Sequence, residues 1–361
     1  MSPALSLWLD LLRLLAAAMV FFSHAGTQRI SGGLFHQATR YGEAAVDVFF
    51  VISGFVIAHA TAARVQTLRD YVVNRSARIY SVVLPALLLG WLLDAAGAAL
   101  DPALYEAAPK FAGPASLLQL ASTLLFLDHS WFRAAQPGTN LPFWSLSFEV
   151  WYYVAFGFLV FARGPWNVLG ALAALALAGP KIALLFPLWL LGVACRYLVV
   201  RNAVPRAAGW PLLLGPFVVL ALWPDPFTRA CFPYSAFTAT WECIGPMGQD
   251  YGIGLLVAAH LLGVHALADR LGPLVAPVVR PVAWLAGASF TLYLLHYPLI
   301  HFLAAASPWE AAAWPTRALV FLATPMIVLA VAEVTERRKG AWRRGVAALA
   351  AQMPGGRGRG P

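Results

Sequence analysis

Charge is what this chain has least of. Asp, Glu, Lys and Arg together make up 11% of its 361 residues, against roughly 25% in soluble globular domains, and that scarcity excludes an ordinary soluble protein. Cysteine is scarce too. Cys195, Cys231 and Cys243 match neither the CxxC spacing of a zinc site nor a dense disulfide framework, although Cys231 and Cys243 share one loop in which a disulfide is compatible with their spacing. No Walker loop, GxGxxG turn, internal repeat or GxSxG nucleophile elbow occurs, which excludes the folds that depend on those turns. Any chemistry has to come from what remains.

What remains is mostly apolar: 60% of the residues, with a mean hydropathy of +0.71. A membrane span needs about 20 predominantly apolar residues. Ten segments qualify or come close, near 5–25, 44–63, 81–100, 143–161, 168–178, 182–200, 210–223, 251–267, 282–305 and 316–334, the fifth and seventh being short. The fold expected is therefore all-α, a polytopic membrane bundle of about ten helices over residues 1–335. A basic tail, 336–361, has a composition expected to stay disordered. Residues 116–127 are apolar for only twelve positions, which suits an interfacial or re-entrant segment. The first segment lacks a positively charged start and is interrupted by Asp10 and Arg13, so it reads as a permanent helix and not a signal peptide.

The formal net charge of +9 would suggest a nucleic-acid partner in a soluble protein. In a membrane bundle it is accounted for by basic loops on the cytoplasmic side. With ten spans and the N-terminus inside, 17 Lys and Arg residues fall in inner connections and 7 in outer ones. Both termini are expected to be cytoplasmic, with no nucleic-acid partner.

Ionisable residues inside spans are costly enough to be functional candidates. Arg13 and His24 are eleven residues apart in the first span, which puts them on one stripe about 16 Å apart along the axis, with Asp10 at i, i+3 to pair with Arg13. Asp47 begins the second span from outside, at a depth expected to match His24. A carboxylate there would orient the imidazole of a general base. Glu149 falls in the outer half of the fourth span and His296 in the middle or outer half of the ninth, so four helices bring four ionisable groups toward one region. The competing reading is a structural cluster whose charges are paired to avoid isolation. On the inner side, Arg75 and Arg78 at i, i+3 share a helical face, and guanidinium forks suit phosphate groups such as those of coenzyme A; plain topological anchoring is the alternative. Ser53-Gly54 interrupts the second span, with packing favoured over a serine nucleophile.

These motifs, in this order, resemble acyltransferase family 3, bacterial membrane proteins that acylate surface and exported glycans. The carriers are Leu9-Asp10-Leu11-Leu12-Arg13 with His24, residues 42–55 (GEAAVDVFFVISGF), the Arg75 and Arg78 box, residues 143–153 (FWSLSFEVWYY) and residues 289–298 (SFTLYLLHYP). One departure is that Arg78-Ile79-Tyr80 is followed by Ser81, with proline delayed to Pro85. The resemblance implies a bundle of about ten helices in the bacterial inner membrane. It implies acyl-CoA, with acetyl-CoA the default, as co-substrate without a metal, and a glycan or glycolipid acceptor outside. By residue it implies His24 as the catalytic histidine, Arg13 as its motif partner, Asp47 and Glu149 as supporting acids, and Arg75 with Arg78 at the donor; Ser53 and His296 match further motif positions. Two other classes stay open at this point, a transporter or flippase with a proton relay through His24, Asp47 and Glu149, and a membrane receptor. No motif speaks to oligomeric state.

Overall fold

The computed structural model describes residues 1–64, 67–108, 113, 116–131, 135–223 and 247–352. Cys231, Cys243 and the end of the tail lie outside the described residues. The first half of the chain forms α1 (Pro3–Ala25), α2 (Gln28–Ser31), α3 (Gly42–Arg64), α4 (Leu68–Leu100), α5 (Pro102–Glu106) and α6 (Leu117–Leu124). Next come α7 (Trp144–Phe161), α8 (Trp166–Ala178), α9 (Pro180–Val200), α10 (Gly209–Leu222) and α11 (Met247–Ala266). The chain finishes with α12 (Ala268–Val275), α13 (Val279–Ala286), α14 (Ser289–Ala305), α15 (Trp314–Ala318), α16 (Thr324–Val334) and α17 (Lys339–Gln352). Among the described residues there is no strand. The protein is an all-α, multi-pass membrane bundle.

The expected count of ten spans is not confirmed. Among the described residues, six helices are long and apolar enough to cross a membrane, or seven if the pair on either side of Leu267, bent by 86°, is one span. The helices at 166–178, 206–222 and 289–305 are apolar but shorter. The ninth expected span is broken: α13 ends at Ala286, capped by Gly287, and α14 starts at Ser289, whose hydroxyl donates to the Ala286 carbonyl at 2.8 Å. The third is longer than expected. Thr67 caps α4 by accepting from the Asp70 N–H, and the helix runs 33 residues straight through Ser81 and Pro85. At 1.5 Å per residue that is about 50 Å, well over a hydrocarbon core of about 30 Å. The polar first turns carrying Arg75 and Arg78 are therefore built on the same helix as the apolar span.

Two helices organise the core. α14 is buried along most of its length and packs on α1, α4 and α16. Its Pro298 cannot donate to the Leu294 carbonyl, and Asn140 Nδ2 donates to that oxygen instead at 2.8 Å. Asn140 is itself held by the loop before α7, where the buried Asp94 carboxylate accepts from both the backbone N–H and the hydroxyl of Thr139, at 2.8 and 2.7 Å. α3 packs on α1 and α9. A Cβ at Gly54 would fall 2.0 Å from the Trp189 carbonyl oxygen and one at Gly192 1.9 Å from that of Val51, so paired glycines let the backbones of α3 and α9 nearly touch. The serine-glycine pair does not break α3. On α4, Leu84, Leu88, Trp91 and Leu92 are exposed while Val83, Ala86, Leu87 and Gly90 are buried, the division expected of a helix with one face toward lipid and one toward the bundle.

Within the segment expected to be a disordered tail, Lys339–Gln352 is helical. Buried Glu336 accepts from the Thr291 N–H at 3.0 Å and the Thr291 hydroxyl at 3.2 Å, satisfying one of the free donors at the start of α14. α17 then packs on α4. Composition alone misses this, because the carboxylate is useful only where α14 happens to begin.

Candidate active site

α1 carries the site. Ser2 caps it by accepting from the Leu5 N–H at 3.2 Å, and Pro3 stands in the first turn, the position a proline tolerates. The helix is unbroken from there to Ala25, so the spacing of Arg13 and His24 becomes a real distance along one element.

At the His24 end two imidazoles meet. His24 Nδ1 is 2.9 Å from His296 Nε2, with the ring centroids 5.2 Å apart and the planes within 13°, so the rings lie end to end and nearly coplanar. His296 Nδ1 is in turn 2.9 Å from the Leu292 carbonyl oxygen. Tyr297 meets the His24 ring edge-on at 4.8 Å and is itself stacked on His301 at 4.5 Å. Sequence depth pointed to Asp47 as the partner of His24, but no carboxylate among the described residues hydrogen-bonds to it. The packing explains the difference. Gly42 faces Ser23 of α1, so closely that a Cβ would fall 2.5 Å from its hydroxyl. Asp47 is five residues beyond, about 7.5 Å deeper and 140° around the helix. It is buried there and coupled electrostatically to Tyr152 of α7.

Ser53 is eleven residues past Gly42, back on the α1 side, and so comes level with Arg13. Both line a cavity with Arg78, Glu149, Tyr153, Ser145 and Tyr293. Its apolar walls include Val46, Phe49, Phe50 and Phe290. Arg13 pairs with Asp10. Glu149 accepts from the Ser53 hydroxyl at 2.5 Å and from the Tyr153 hydroxyl, while Trp189 Nε1 donates to Ser53 Oγ at 3.1 Å. Tyr293 pairs its hydroxyl with that of Ser145 at 2.6 Å and is one turn of α14 below His296, ring centroids 6.4 Å apart. The cavity thus reaches from the two arginines to the turn beneath the histidine pair.

Arg75 and Arg78 do not close on one point. Arg75 lines a second cavity between α4 and α7, with Tyr71, Tyr80, Val154 and Phe158. Tyr153 belongs to both cavities, and the Arg75 guanidinium lies 6.0 Å from the centre of its ring. Arg78 interacts electrostatically with Arg13 and Glu336 on the first cavity's side. Sequence reasoning missed Tyr153, Tyr293, Ser145 and Glu336. Tyr153 was findable at i+4 from Glu149 and Tyr293 at i−3 from His296; nothing in the sequence marked Glu336. Among the described residues, no three His, Cys, Asp or Glu side chains converge to hold a metal ion.

Residues 6–333 match the family model described as an acyltransferase domain, Acyl_transf_3. The chain belongs to acyltransferase family 3. Membership in this family makes the protein a membrane acyltransferase and gives no support to the transporter and receptor readings. The chain is also similar to "Acyltransferase MdmB" of Streptomyces mycarofaciens, 27% identical over 350 residues that cover 89% of this chain and 86% of the relative. No solved structure matches it. In this acyltransferase the matched region takes in the histidine pair and the residues named for both cavities, while Glu336 lies just past its end.

Proposed function

We propose that the protein is an acyl-CoA-dependent O-acyltransferase of the bacterial cytoplasmic membrane. It moves an acyl group, acetyl by default, from a cytoplasmic donor to a hydroxyl of an extracytoplasmic glycan or glycolipid. The observation that carries this reading is the pairing, on α1, of a histidine dyad at one end with an arginine-lined cavity at the other, joined by aromatic walls. In this reading the donor phosphates lie against Arg78, Arg13 and Arg75, where guanidinium forks and charge both favour them. The thin pantetheine arm follows the channel past Phe49, Phe50 and Phe290, and the thioester stops near Tyr293.

His24 is the general base. It takes the proton of the acceptor hydroxyl, the oxygen adds to the thioester carbonyl, the C–S bond breaks, and the proton passes from His24 to the departing thiolate. Glu149, held by Ser53 and Tyr153, supplies negative charge in the cavity below the histidine pair.

The test follows radiolabelled acetyl-CoA in membranes containing the wild-type protein or His24→Ala, scoring label in envelope glycans and thiol released. Label that depends on His24 supports the assignment. Transfer retained within a few-fold in His24→Ala would remove His24 from the chemistry. Movement of glycan without thioester consumption would overturn the enzymatic reading as a whole.

A further inference from the structure

A base needs the right nitrogen free. Imidazole has two, and in the neutral ring one carries hydrogen while the other has the lone pair that can take a proton. In water the two forms interchange, so an enzyme that uses histidine as a base gains by fixing which form is present. Hydrogen positions follow here from the partners, by elimination. The Leu292 carbonyl oxygen 2.9 Å from His296 Nδ1 can only accept, so Nδ1 of His296 carries the hydrogen. Nε2 of neutral His296 is then a lone pair. The atom facing it at 2.9 Å, His24 Nδ1, must donate and therefore carries its own hydrogen. What is left on His24 is Nε2, unprotonated and ready to accept. The same device recurs one turn on, where His301 Nδ1 lies 3.0 Å from the Tyr297 carbonyl oxygen, also four residues back on α14.

We infer that His296 is the positioning residue of this enzyme: a neutral histidine anchored on a helix carbonyl that holds His24 in the Nδ1–H form and so makes Nε2 the base. This rests on the assignment of His24 above and extends it to a residue that never touches substrate. His296 stands where a carboxylate stands in the Ser-His-Asp arrangement. The choice of a neutral ring has a physical reason. An uncompensated carboxylate in a low-dielectric bundle is costly, while a neutral imidazole locks the tautomer without adding charge. When His24 takes the hydroxyl proton at Nε2, the imidazolium keeps its Nδ1–H on the His296 lone pair. When the thiolate leaves, the Nε2 proton goes to sulfur and both rings return to their starting state. The nearly coplanar contact with His296 and the edge of Tyr297 hold the His24 ring in place throughout.

The deciding measurement is ¹⁵N NMR of the full-length protein, ring-labelled at its eight histidines, in lipid nanodiscs at a pH where histidine is neutral. The His24 signals are assigned by their loss in His24→Gln. Wild type is expected to show a protonated Nδ1 and an unprotonated Nε2 on His24. His296→Leu, which removes the acceptor, is expected to shift His24 to the other form or to a mixture. His296→Gln, whose amide can both accept from His24 and donate to a carbonyl, is expected to restore it. In native membranes with acetyl-CoA, His296→Leu should lower turnover about a hundredfold, the scale of general-base catalysis, with KM for acetyl-CoA within twofold. His296→Gln should recover to within tenfold.

An unprotonated Nδ1 on wild-type His24, or a His24 tautomer unmoved in His296→Leu, overturns the inference. That outcome is separate from failure of the underlying assignment, which would show as a His24→Ala protein that still transfers acyl groups whatever the tautomer of the wild-type ring.

Discussion

Ser53 and Glu149, 96 residues apart in the chain, share a hydrogen bond of 2.5 Å across the α3–α7 contact, and the same serine oxygen accepts from Trp189 at 3.1 Å. With its hydrogen on Glu149 and a lone pair on Trp189, the Ser53 hydroxyl is already in use. We read it as a clamp for Glu149. Ser53→Ala is expected to lower acyl-CoA turnover by about 10- to 150-fold, matching the roughly 1.5–3 kcal/mol of a hydrogen bond to a charged group. Complete loss of turnover with intact folding, together with absence of an acyl group on the wild-type serine by mass spectrometry after acetyl-CoA treatment, would leave the clamp role unexplained. Acylation of Ser53 would replace it with a covalent mechanism.

Asn140 and Pro298 make a coupled pair. The proline frees the Leu294 carbonyl and the asparagine amide occupies it at 2.8 Å. Asn140→Ala should therefore destabilise the protein in detergent by about 1–3 kcal/mol, the usual result of leaving a buried polar group unpaired. In a Pro298→Ala background the new backbone N–H can reach the same carbonyl, so the same change should be milder. Thermal or denaturant unfolding of the four proteins gives the coupling directly. Equal losses in both backgrounds would mean that Asn140 acts elsewhere.

The α3–α9 contact predicts opposite signs for two glycine substitutions. Gly54→Ala puts a methyl group where the Trp189 backbone already is, and overpacking of this kind destabilises by about 1–3 kcal/mol. Gly215→Ala in α10 meets nothing within 4 Å and should stabilise, by up to roughly 1 kcal/mol from helix propensity alone. Melting temperatures in one detergent compare them, and a Gly54→Ala protein as stable as wild type would contradict the close approach described here.

Arg75 and Arg78 line different cavities, so their effects on donor binding should separate. Arg78→Ala is expected to weaken acetyl-CoA binding about tenfold or more, as loss of a charge-assisted contact does. Arg75→Ala should do so independently, the double variant showing the product of the two. Isothermal titration with acetyl-CoA, and with free coenzyme A as a second ligand, reads this out. Unchanged affinity in both single variants would return the two arginines to a purely topological role.

Much of this protein was legible from its residues because membrane burial imposes strong, local rules. Long apolar segments mark helices wherever backbone groups have to be satisfied internally, and the eleven-residue spacing of Arg13 and His24 survives intact because an unbroken helix turns sequence distance into spatial distance. The same reasoning failed where an interaction depends on rotation about a helix or on a partner far along the chain. Depth alone set Asp47 beside His24; the rotation of α3, pinned by the Gly42 contact with Ser23, turned it away. Arg75 and Arg78 share a helical face in sequence, yet the ring of Tyr153 divides the space between them. Glu336 looked like part of a basic tail and proved to cap α14.

The sequence by itself determined the class, an apolar helical membrane protein with the motif set of one acyltransferase family, since composition, span-length apolar runs and spacing along single helices are properties of short stretches of chain. Only the tertiary structure decided that the partner of His24 is His296, that Glu149 is gripped by Ser53 and Tyr153, and that Glu336 seats against the start of α14. Each of those depends on how helices distant in sequence are rotated and seated against one another, and that is set by packing across the whole core at once.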